Sequence, residues 1–99
     1  MHYILFYDVV DHFPDRRTPY RGAHLEAVKR SHANGELVLA GALTEPPDGA
    51  VLVFRGDSPA VAESFAKADP YVLNGLVTTW RVRSWNTVVG DGASLPTLT

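Results

Sequence analysis

The hydrophobic and polar positions along the chain follow two periods, and together they predict four strands and two main helices. Residues 2–9 alternate in character and are rich in aromatic and β-branched side chains, which is typical of a strand. The same kind of pattern predicts three further strands, at residues 36–43, 50–55 and 76–88. Because the turn sequence Pro46-Pro47-Asp48-Gly49 separates the second strand from the third, these two should form a hairpin.

The longer predicted helix runs from Pro19 to Asn34. Thr18 before Pro19 is a helix-starting signal, and Asn34 followed by Gly35 is a stop signal. The polar stretch 11–17 before this helix should be a loop. At about 100° per residue, one side of the helix should face inward. That side carries Tyr20, His24, Ala27, Val28 and Ser31.

A second helix should begin at Ser58-Pro59 and end before Pro70, because proline disfavours a helical conformation in the residue that precedes it. Residues 69–75 predict one further helical turn. Asp69 stands directly before a proline, an arrangement that is typical of an N-cap.

The order strand, helix, strand, strand, helix, strand predicts an α+β fold. It matches the ferredoxin-like βαββαβ sandwich, an antiparallel four-stranded sheet with both helices on one face. Gly and Pro are spread over the element borders and form no linker. Residues 1–89 should therefore be one domain, and residues 90–99 a loose tail.

Both faces of this sheet should be apolar. Four strands at ~4.8 Å make a sheet about 19 Å wide, which two helices cover on one side only. Because the other side also needs cover, we expect a homodimer that packs sheet on sheet. In the first strand, alternation places Ile4 and Phe6 on one face and Tyr3, Leu5 and Tyr7 on the other. In the second strand, it places Leu37 and Leu39 on one face and Val38 and Ala40 on the other.

Composition narrows the class of protein. The 99 residues are 45% hydrophobic and 20% charged, so the chain is too apolar to be disordered. No apolar run reaches the ~20 residues of a membrane span, and the net charge of −2 without a Lys/Arg block argues against nucleic acid. The first residues lack the features of a secretory signal, so we expect a cytoplasmic protein without a membrane partner.

The chain lacks the residues of several common chemistries. It contains no Cys, which excludes disulfides, thiolate nucleophiles, zinc fingers and iron–sulfur clusters. Neither a G-x-G-x-x-G nor a Walker sequence occurs, and the histidines have no close metal-ligand spacing. We therefore expect no metal and no cofactor. The histidines are His2, His12, His24 and His32.

His24 is the first candidate for chemistry, because it lies in an otherwise apolar or small helical stripe with Arg21 one turn earlier. From periodicity alone, a structural histidine bonded to a backbone carbonyl is the commoner outcome. Asp69 is similarly more often a cap, although capping and catalysis do not exclude each other.

Two other groups of side chains suggest binding. The last strand could bind an anion through Arg81, Arg83 and Trp85. Alternating arginines on a strand more often form a solvated edge. Tyrosine hydroxyls could orient a substrate, although core or interface positions are commoner for tyrosine. These tyrosines are Tyr3, Tyr7, Tyr20 and Tyr71.

Three segments together resemble the YCII-related (YciI-like) family of the dimeric α+β barrel superfamily, and the resemblance extends to about Val88. They are Arg21-Gly22-Ala23-His24-Leu25, the Gly41-containing strand Leu39–Leu43, and Ala68-Asp69-Pro70-Tyr71 before Gly75-Leu76. The resemblance implies a ferredoxin-like fold, dimers of the α+β-barrel kind and a His–Asp active site. By that resemblance, His24 and Asp69 are the catalytic pair.

Such a pair has a physical rationale. A carboxylate bonded to one ring nitrogen fixes the tautomer and leaves the other nitrogen as a general acid or base. His24 would move the proton and Asp69 would orient the ring, while Arg21 or a backbone N–H near Gly41 would hold a developing oxyanion. Tyr7 and Tyr71 complete the predicted substrate-binding residues.

Three functions fit these residues. The first is a cofactor-free enzyme, an isomerase or a lyase of the dehydrochlorinase type, that acts on a small acidic or cyclic substrate. The second is a non-catalytic homodimeric module that binds a small aromatic or anionic molecule and uses the His24–Asp69 contact structurally. A haem-degrading or cofactor-free monooxygenase ranks lowest, because no axial-ligand signal is present.

Overall fold

A computed structural model describes residues 1–94, and in this part the chain forms four strands and four helices. The strands are β1 His2–Val9, β2 Leu37–Ala42, β3 Gly49–Arg55 and β4 Val77–Trp85. The helices are α1 Phe13–Arg16, α2 Thr18–Ala33, α3 Ala60–Ala68 and α4 Pro70–Leu73. All four predicted strands are confirmed, although β4 ends earlier than its pattern indicates.

The strands form one antiparallel sheet in the order β2-β3-β1-β4. Leu5 in the central strand β1 stands opposite Leu52 of β3 and Val82 of β4. The helices α2 and α3 both pack on the side of the sheet that carries Leu5. This arrangement confirms the predicted ferredoxin-like α+β fold.

The core lies between this sheet face and the helices. Alternation places every second residue of a strand inward, and the small residues of α3 let that helix approach closely. Phe65 of α3 packs on Phe54 of β3, with ring centroids 5.3 Å apart. The buried residues here include Tyr3, Leu5, Tyr7, Leu52, Phe54, Ala62, Ala66, Tyr71 and Leu76.

A β-bulge in β2 changes which side chains face the core. Leu37 pairs with Phe54 and is 3% exposed, whereas Leu39 pairs with Val53 on the other face and is 71% exposed. The prediction that Leu37 and Leu39 share one face is therefore wrong. The register shift between them adds a residue to β2 and so reverses the alternation that follows.

The region before α2 also differs from its prediction. Residues 11–17 are not one loop, because Phe13–Arg16 forms the helical turn α1 and Phe13 is buried. Thr18 is not an N-cap; it lies inside α2, and Arg17 before it has helical dihedral angles of φ −74° and ψ −16°. The predicted stop is confirmed, since α2 ends at Ala33 before Gly35 at φ +81°.

The inward side of α2 is confirmed in detail. The predicted residues Tyr20, His24, Ala27, Val28 and Ser31 are all half-buried, while the residues on the outer side of the helix are exposed. None of the residues of α2 is fully buried, however. The helix therefore rests less deeply on the sheet than α3 does.

The opposite face of the sheet carries a mixed surface. Ile4 and Phe6 are half-buried there, and the guanidinium of Arg81 lies 4.4 Å from the centre of the Phe6 ring. Arg81 and Arg83 are exposed on the edge strand β4, on the other side of the sheet from α2. The predicted sheet-on-sheet homodimer concerns this face and stays a prediction.

The first residues of the predicted tail are bonded to the domain. Ser94 donates its backbone N–H to Thr87 Oγ1 at 2.9 Å, and Thr87 Oγ1 lies 2.8 Å from Nδ1 of the buried His2. Ser94 thus contacts the domain, the loose tail over residues 90–99 stays a prediction, and residues 95–99 lie outside the described residues. Within residues 1–94, no helix is long and apolar enough to cross a membrane.

Candidate active site

Asp69 lies between the helices α3 and α4 and joins them. It is the C-cap of α3 and the N-cap of α4, with extended dihedral angles of φ −68° and ψ 124°. Its Oδ1 accepts a hydrogen bond of 3.0 Å from the Tyr71 backbone N–H. The predicted capping role of Asp69 is confirmed, and Pro70 occupies the first helical position behind it.

The Asp69 carboxylate also binds two side chains from distant parts of the chain. The Tyr7 hydroxyl donates to Oδ2 at 2.7 Å, and His24 Nδ1 lies 2.9 Å from Oδ1 and 3.1 Å from Oδ2. The Asp69 side chain is 0% exposed, and that of His24 is 14% exposed. A buried carboxylate is stable only with such donors, so these contacts make the position of Asp69 possible.

The contacts determine which nitrogen of His24 faces the carboxylate. A carboxylate only accepts hydrogen bonds, so His24 Nδ1 donates and the proton of the neutral ring stands on Nδ1. Burial, and then the charge and hydrogen bond of Asp69, raise the pKa of Tyr7 far above its ordinary value, so its phenol stays protonated as a donor. The other ring nitrogen, Nε2, is left to accept a proton.

The plane of the imidazole is held by aromatic rings. Tyr71 stacks on His24 with ring centroids 3.9 Å apart and planes 12° apart, and Phe13 packs edge-on against Tyr71 at 5.3 Å. Burial raises the pKa of Tyr71, the positive charges of Arg17 and Arg21 oppose this rise, and Asp69 adds to it. The imidazole is thus fixed both by its partner atoms and by its neighbours.

A cavity of about 310 Å³ opens beside His24, between α2 and the strands β2 and β3. It exists because the sheet carries small side chains below α2: Ala40 stands opposite Leu52, and Ala42 opposite Ala50. A ligand of modest size fits such a space. The lining residues are Tyr7, Phe13, Arg17, Arg21, His24, Leu25, Val28, Ala40, Gly41, Ala42, Ala50, Leu52 and Tyr71.

The predicted site residues come together here. Five of them line the cavity, and Asp69 lies directly behind His24. The Tyr7 hydroxyl is bonded to Asp69, so it positions the carboxylate. An added Cβ at Gly41 would meet nothing within 4 Å, so packing within this chain does not require glycine there. The five lining residues are Tyr7, Arg21, His24, Gly41 and Tyr71.

Sequence reasoning missed Arg17 and Phe13. The Arg17 guanidinium lies 5.5 Å from the centre of the Phe13 ring, and both side chains line the cavity. The spacing of Arg17, Arg21, His24 and Val28 is that of one helical face and could have revealed Arg17. The Thr18-Pro19 signal hid this continuity, because it placed the start of the helix after Arg17.

The described residues contain no metal site of the usual kind. Across residues 1–94, no three His, Asp or Glu side chains are arranged to hold a metal ion. The arrangement beside the cavity is therefore an imidazole, one buried carboxylate, two guanidinium groups and apolar walls. Its direct chemical capacity is proton transfer at His24.

The sheet order, the helices on one face and the cavity below α2 define a ferredoxin-like α+β protein with a candidate His–Asp site. Residues 1–86 match the YCII-related domain. The chain therefore belongs to the YCII-related family.

Solved structures share this fold at low sequence identity. A 5-chloro-2-hydroxyhydroquinone dehydrochlorinase from Burkholderia phenoliruptrix, in complex with 2,5-dihydroxybenzoquinone, matches with a TM-score of 0.73 and 19% identity, over 95% of this chain and 100% of that one. A candidate antibiotic biosynthesis monooxygenase from Bacteroides thetaiotaomicron has a TM-score of 0.59 and 16% identity, over 92% and 91%. Protein Atu4242 from Agrobacterium tumefaciens has a TM-score of 0.58 and 18% identity, over 96% and 99%.

No curated protein matches the chain significantly in sequence. At identities below one fifth, the solved structures establish the fold and leave the reaction open.

Proposed function

We propose that the protein is a cofactor-independent enzyme that transfers a proton on a small acidic or cyclic substrate, with His24 as general base and acid. The observation that carries this proposal is the contact between His24 Nδ1 and the fully buried Asp69, at the wall of a cavity of about 310 Å³. An imidazole that is oriented by a carboxylate and faces a pocket is the arrangement that general acid–base catalysis needs.

In the proposed step, Nε2 of His24 takes a proton from a carbon or hydroxyl of the substrate. The electron pair of the broken bond moves into the substrate, and negative charge develops on a substrate oxygen near Arg21. In an isomerisation the proton returns at another position. In an elimination of HX from a chlorinated hydroxyhydroquinone, His24 first returns a hydroxyl proton to the ring carbon that bears the halide. Loss of a second hydroxyl proton to His24 then drives out the halide, so that HX leaves and a hydroxyquinone remains. Asp69 stabilises the imidazolium in both cases.

The likeness to the dehydrochlorinase suggests the first compound to try. That protein shares the fold over 95% of this chain and is solved with a dihydroxybenzoquinone. A chlorinated hydroxyhydroquinone has acidic hydroxyls, a flat ring and a halide leaving group, so it satisfies the chemistry proposed for His24. We propose a lyase of the dehydrochlorinase type ahead of an isomerase for this reason.

The proposal includes a homodimer formed through the face of the sheet opposite α2. Leu39 and Trp85 are exposed there beside the half-buried Ile4 and Phe6. A second copy that packs on this face would cover these side chains. Sedimentation of the wild type at micromolar concentration should give twice the monomer mass, and a monomeric mass would contradict the dimer. A cytoplasmic location stays a prediction from the sequence.

The enzyme is tested by two assays that share one set of variants. Chloride release from 5-chloro-2-hydroxyhydroquinone measures elimination, and exchange of acidic C–H for C–D in D₂O, followed by NMR on cyclic enolisable ketones, measures proton transfer. His24→Gln should lower the rate by about 10²-fold or more. His32→Gln is the matched control, because His32 lies on the same helix and bonds the Leu37 carbonyl at 2.8 Å.

The outcome separates the enzyme from a binding module. Equal rates for the wild type and His24→Gln in both assays would contradict catalysis by this site. If Asp69→Asn lowers stability while the affinity for bound ligand stays unchanged and no turnover occurs, the non-catalytic module replaces the enzyme as the better account.

A further inference from the structure

The side chains that line the cavity carry positive charge, whereas the chain as a whole carries a net negative charge. The chain as a whole carries −2, yet Arg17 and Arg21 both line the cavity and no Asp or Glu does. The carboxylate behind His24, that of Asp69, is fully buried and accepts hydrogen bonds from its own donors. Across residues 1–94 the contact of His24 with Asp69 is the one salt bridge, so neither guanidinium has an acidic partner within 4.0 Å.

The Tyr71 hydroxyl adds a neutral donor to this region. It makes no hydrogen bond with residues 1–94, although the ring itself is buried and lines the cavity. Within the same residues, no buried polar side-chain atom lacks a partner, so this hydroxyl reaches the accessible surface. Arg17, Arg21 and Tyr71 all line the cavity, which places the three groups in one neighbourhood.

The Phe13 ring supports the guanidinium of Arg17. Its guanidinium lies over the Phe13 ring, and the same ring packs edge-on against Tyr71. Phe13 thus touches both groups and holds them on one side of the cavity. Because Arg17 continues the helical face of Arg21 one turn earlier, the two guanidiniums project from the same side of the helix.

We propose that Arg17, Arg21 and the Tyr71 hydroxyl form an anion-binding subsite that takes a compact, delocalised oxyanion on a small planar ring. Guanidinium groups bind carboxylates and similar planar oxyanions through paired charge-assisted hydrogen bonds. The ring of the ligand fits the apolar remainder of the cavity, which includes Leu25 and Val28. This inference deepens the proposed function and rests on it, because it names the substrate class of the same cavity.

The subsite gives the substrate one orientation. An anion held by the guanidiniums directs the ring of the ligand along the aromatic wall towards His24, which stacks on Tyr71. A second ionisable or C–H group on that ring would then meet the imidazole. Phe13 acts as a positioning residue, because it contacts Arg17 and Tyr71 while the anion does not need to touch it.

The test uses two anionic probes and one neutral probe of similar size. Benzoate carries a carboxylate, 4-nitrophenolate at pH 8.5 carries a phenolate, and benzamide is the neutral comparison. Dissociation constants follow from NMR titration of the wild type, Arg17→Met, Arg21→Met and Arg16→Met. Arg16 is the matched control, because it is exposed, lies next to Arg17 in sequence and does not line the cavity.

The subsite predicts that the wild type binds at least one anion about tenfold more tightly than benzamide. Arg17→Met and Arg21→Met should each remove most of that preference, while benzamide binds all four proteins within about twofold. Preference for benzoate over 4-nitrophenolate identifies a carboxylate ligand, and the reverse order identifies a phenolate; both outcomes support the subsite.

Two results would overturn the subsite. One is equal binding of benzamide and both anions, or no binding of any probe, by the wild type. The other is an equal loss of anion affinity in Arg16→Met, which would mean that the net charge of the surface and not the cavity attracts the anion. The enzyme proposal fails separately, because His24→Gln should retain benzoate binding whether or not turnover depends on His24.

Discussion

The two long helices cover the same face of one sheet in opposite ways. The helix α3 buries Ala62 and Ala66 completely and packs Phe65 on Phe54 at 5.3 Å. The helix α2 has no fully buried residue and stands over a cavity of about 310 Å³. The same architecture therefore provides a close-packed half below α3 and an open half below α2.

The difference comes from side-chain size and polarity on the sheet. Below α2 the strands present alanines, so the helix and the sheet do not fill the space between them. Polar groups gather in this half: His24, Asp69 and the Tyr7 hydroxyl form one hydrogen-bonded cluster. We infer that substitutions below α3 act mainly on stability, and that substitutions below α2 act mainly on ligand binding and chemistry.

The largest expected effect lies in the close-packed half. Phe54→Ala should lower the free energy of unfolding by about 3–5 kcal/mol, because it removes a fully buried ring and leaves a cavity. Urea unfolding followed by circular dichroism measures this loss. Leu73→Ala is the control, since Leu73 is exposed on α4 and its change should stay within about 0.5 kcal/mol. Equal losses for both variants would contradict the assigned core.

The next largest effect on stability is expected at Asp69 and tests whether residues of the open half also stabilise the fold. Asp69→Ala should cost about 2–3 kcal/mol, because the Tyr7 hydroxyl and the Tyr71 N–H lose a buried acceptor. Asp69→Asn, which keeps an acceptor oxygen, should cost only about 1 kcal/mol. The same urea series compares both variants. If Asp69→Ala unfolds no more easily than Asp69→Asn, the cap and the hydroxyl bond do not contribute to stability.

The stability of the protein should also fall at alkaline pH, because of Tyr7 in the open half. The pKa of Tyr7 is raised in the folded protein, so above pH ~10 the unfolded chain loses its proton first and the folded state binds more protons. The contribution of Tyr7 to stability is therefore fully present below pH ~10 and declines as the pH rises.

Urea midpoints between pH 8 and pH 11 measure this decline. Tyr7→Phe should be less stable than the wild type by about 1 kcal/mol at pH 8, because it loses the hydrogen bond to Asp69. Its stability should then fall less steeply above pH 10. Parallel slopes for the two proteins would show that Tyr7 does not keep its proton in the fold.

The smallest effect on stability is expected from filling the cavity. Ala42→Leu extends a side chain into open space and should change the free energy of unfolding by less than about 0.5 kcal/mol, while it weakens binding of a ligand tenfold or more. The same substitution on the buried side of α3, Ala62→Leu, should cost about 1–3 kcal/mol by overpacking and leave binding unchanged. Reversed outcomes at the two positions would break the contrast between the halves.

The local pattern of hydrophobic and polar residues predicted much of the fold. The strand β1, the hairpin of β2 and β3 and the half-buried stripe of α2 all follow from periodicity, because local alternation decides which side chains face inward. The bulge at Leu37 did not follow, since one added residue leaves no signal in composition. Arg17 was missed because Thr18-Pro19 resembles a helix start, although the structure continues the helical face across it.

The site depended on long-range pairing. His24 and Asp69 are 45 residues apart, and only their resemblance to family motifs suggested that they meet. The cavity was not predictable either, because it arises where alanines of two strands fall into register below a helix. Alanine in a strand does not by itself distinguish a packed contact from an empty space. The catalytic roles of His24 and Asp69 stay predictions.

The central claim is that Asp69 holds the proton of the neutral His24 ring on Nδ1 and leaves Nε2 to accept a proton. Long-range ¹H–¹⁵N correlation of the imidazole, at a pH where the ring is neutral, measures this directly. His32 is the internal reference, because its Nδ1 donates to the Leu37 carbonyl and has no contact with Asp69.

For His24 we predict a protonated Nδ1 and an unprotonated Nε2 in the wild type. In Asp69→Asn this preference should weaken or reverse, because the amide can donate to Nδ1, while His32 stays unchanged. A wild-type His24 with its proton on Nε2, or identical His24 spectra in the two proteins, would contradict the account.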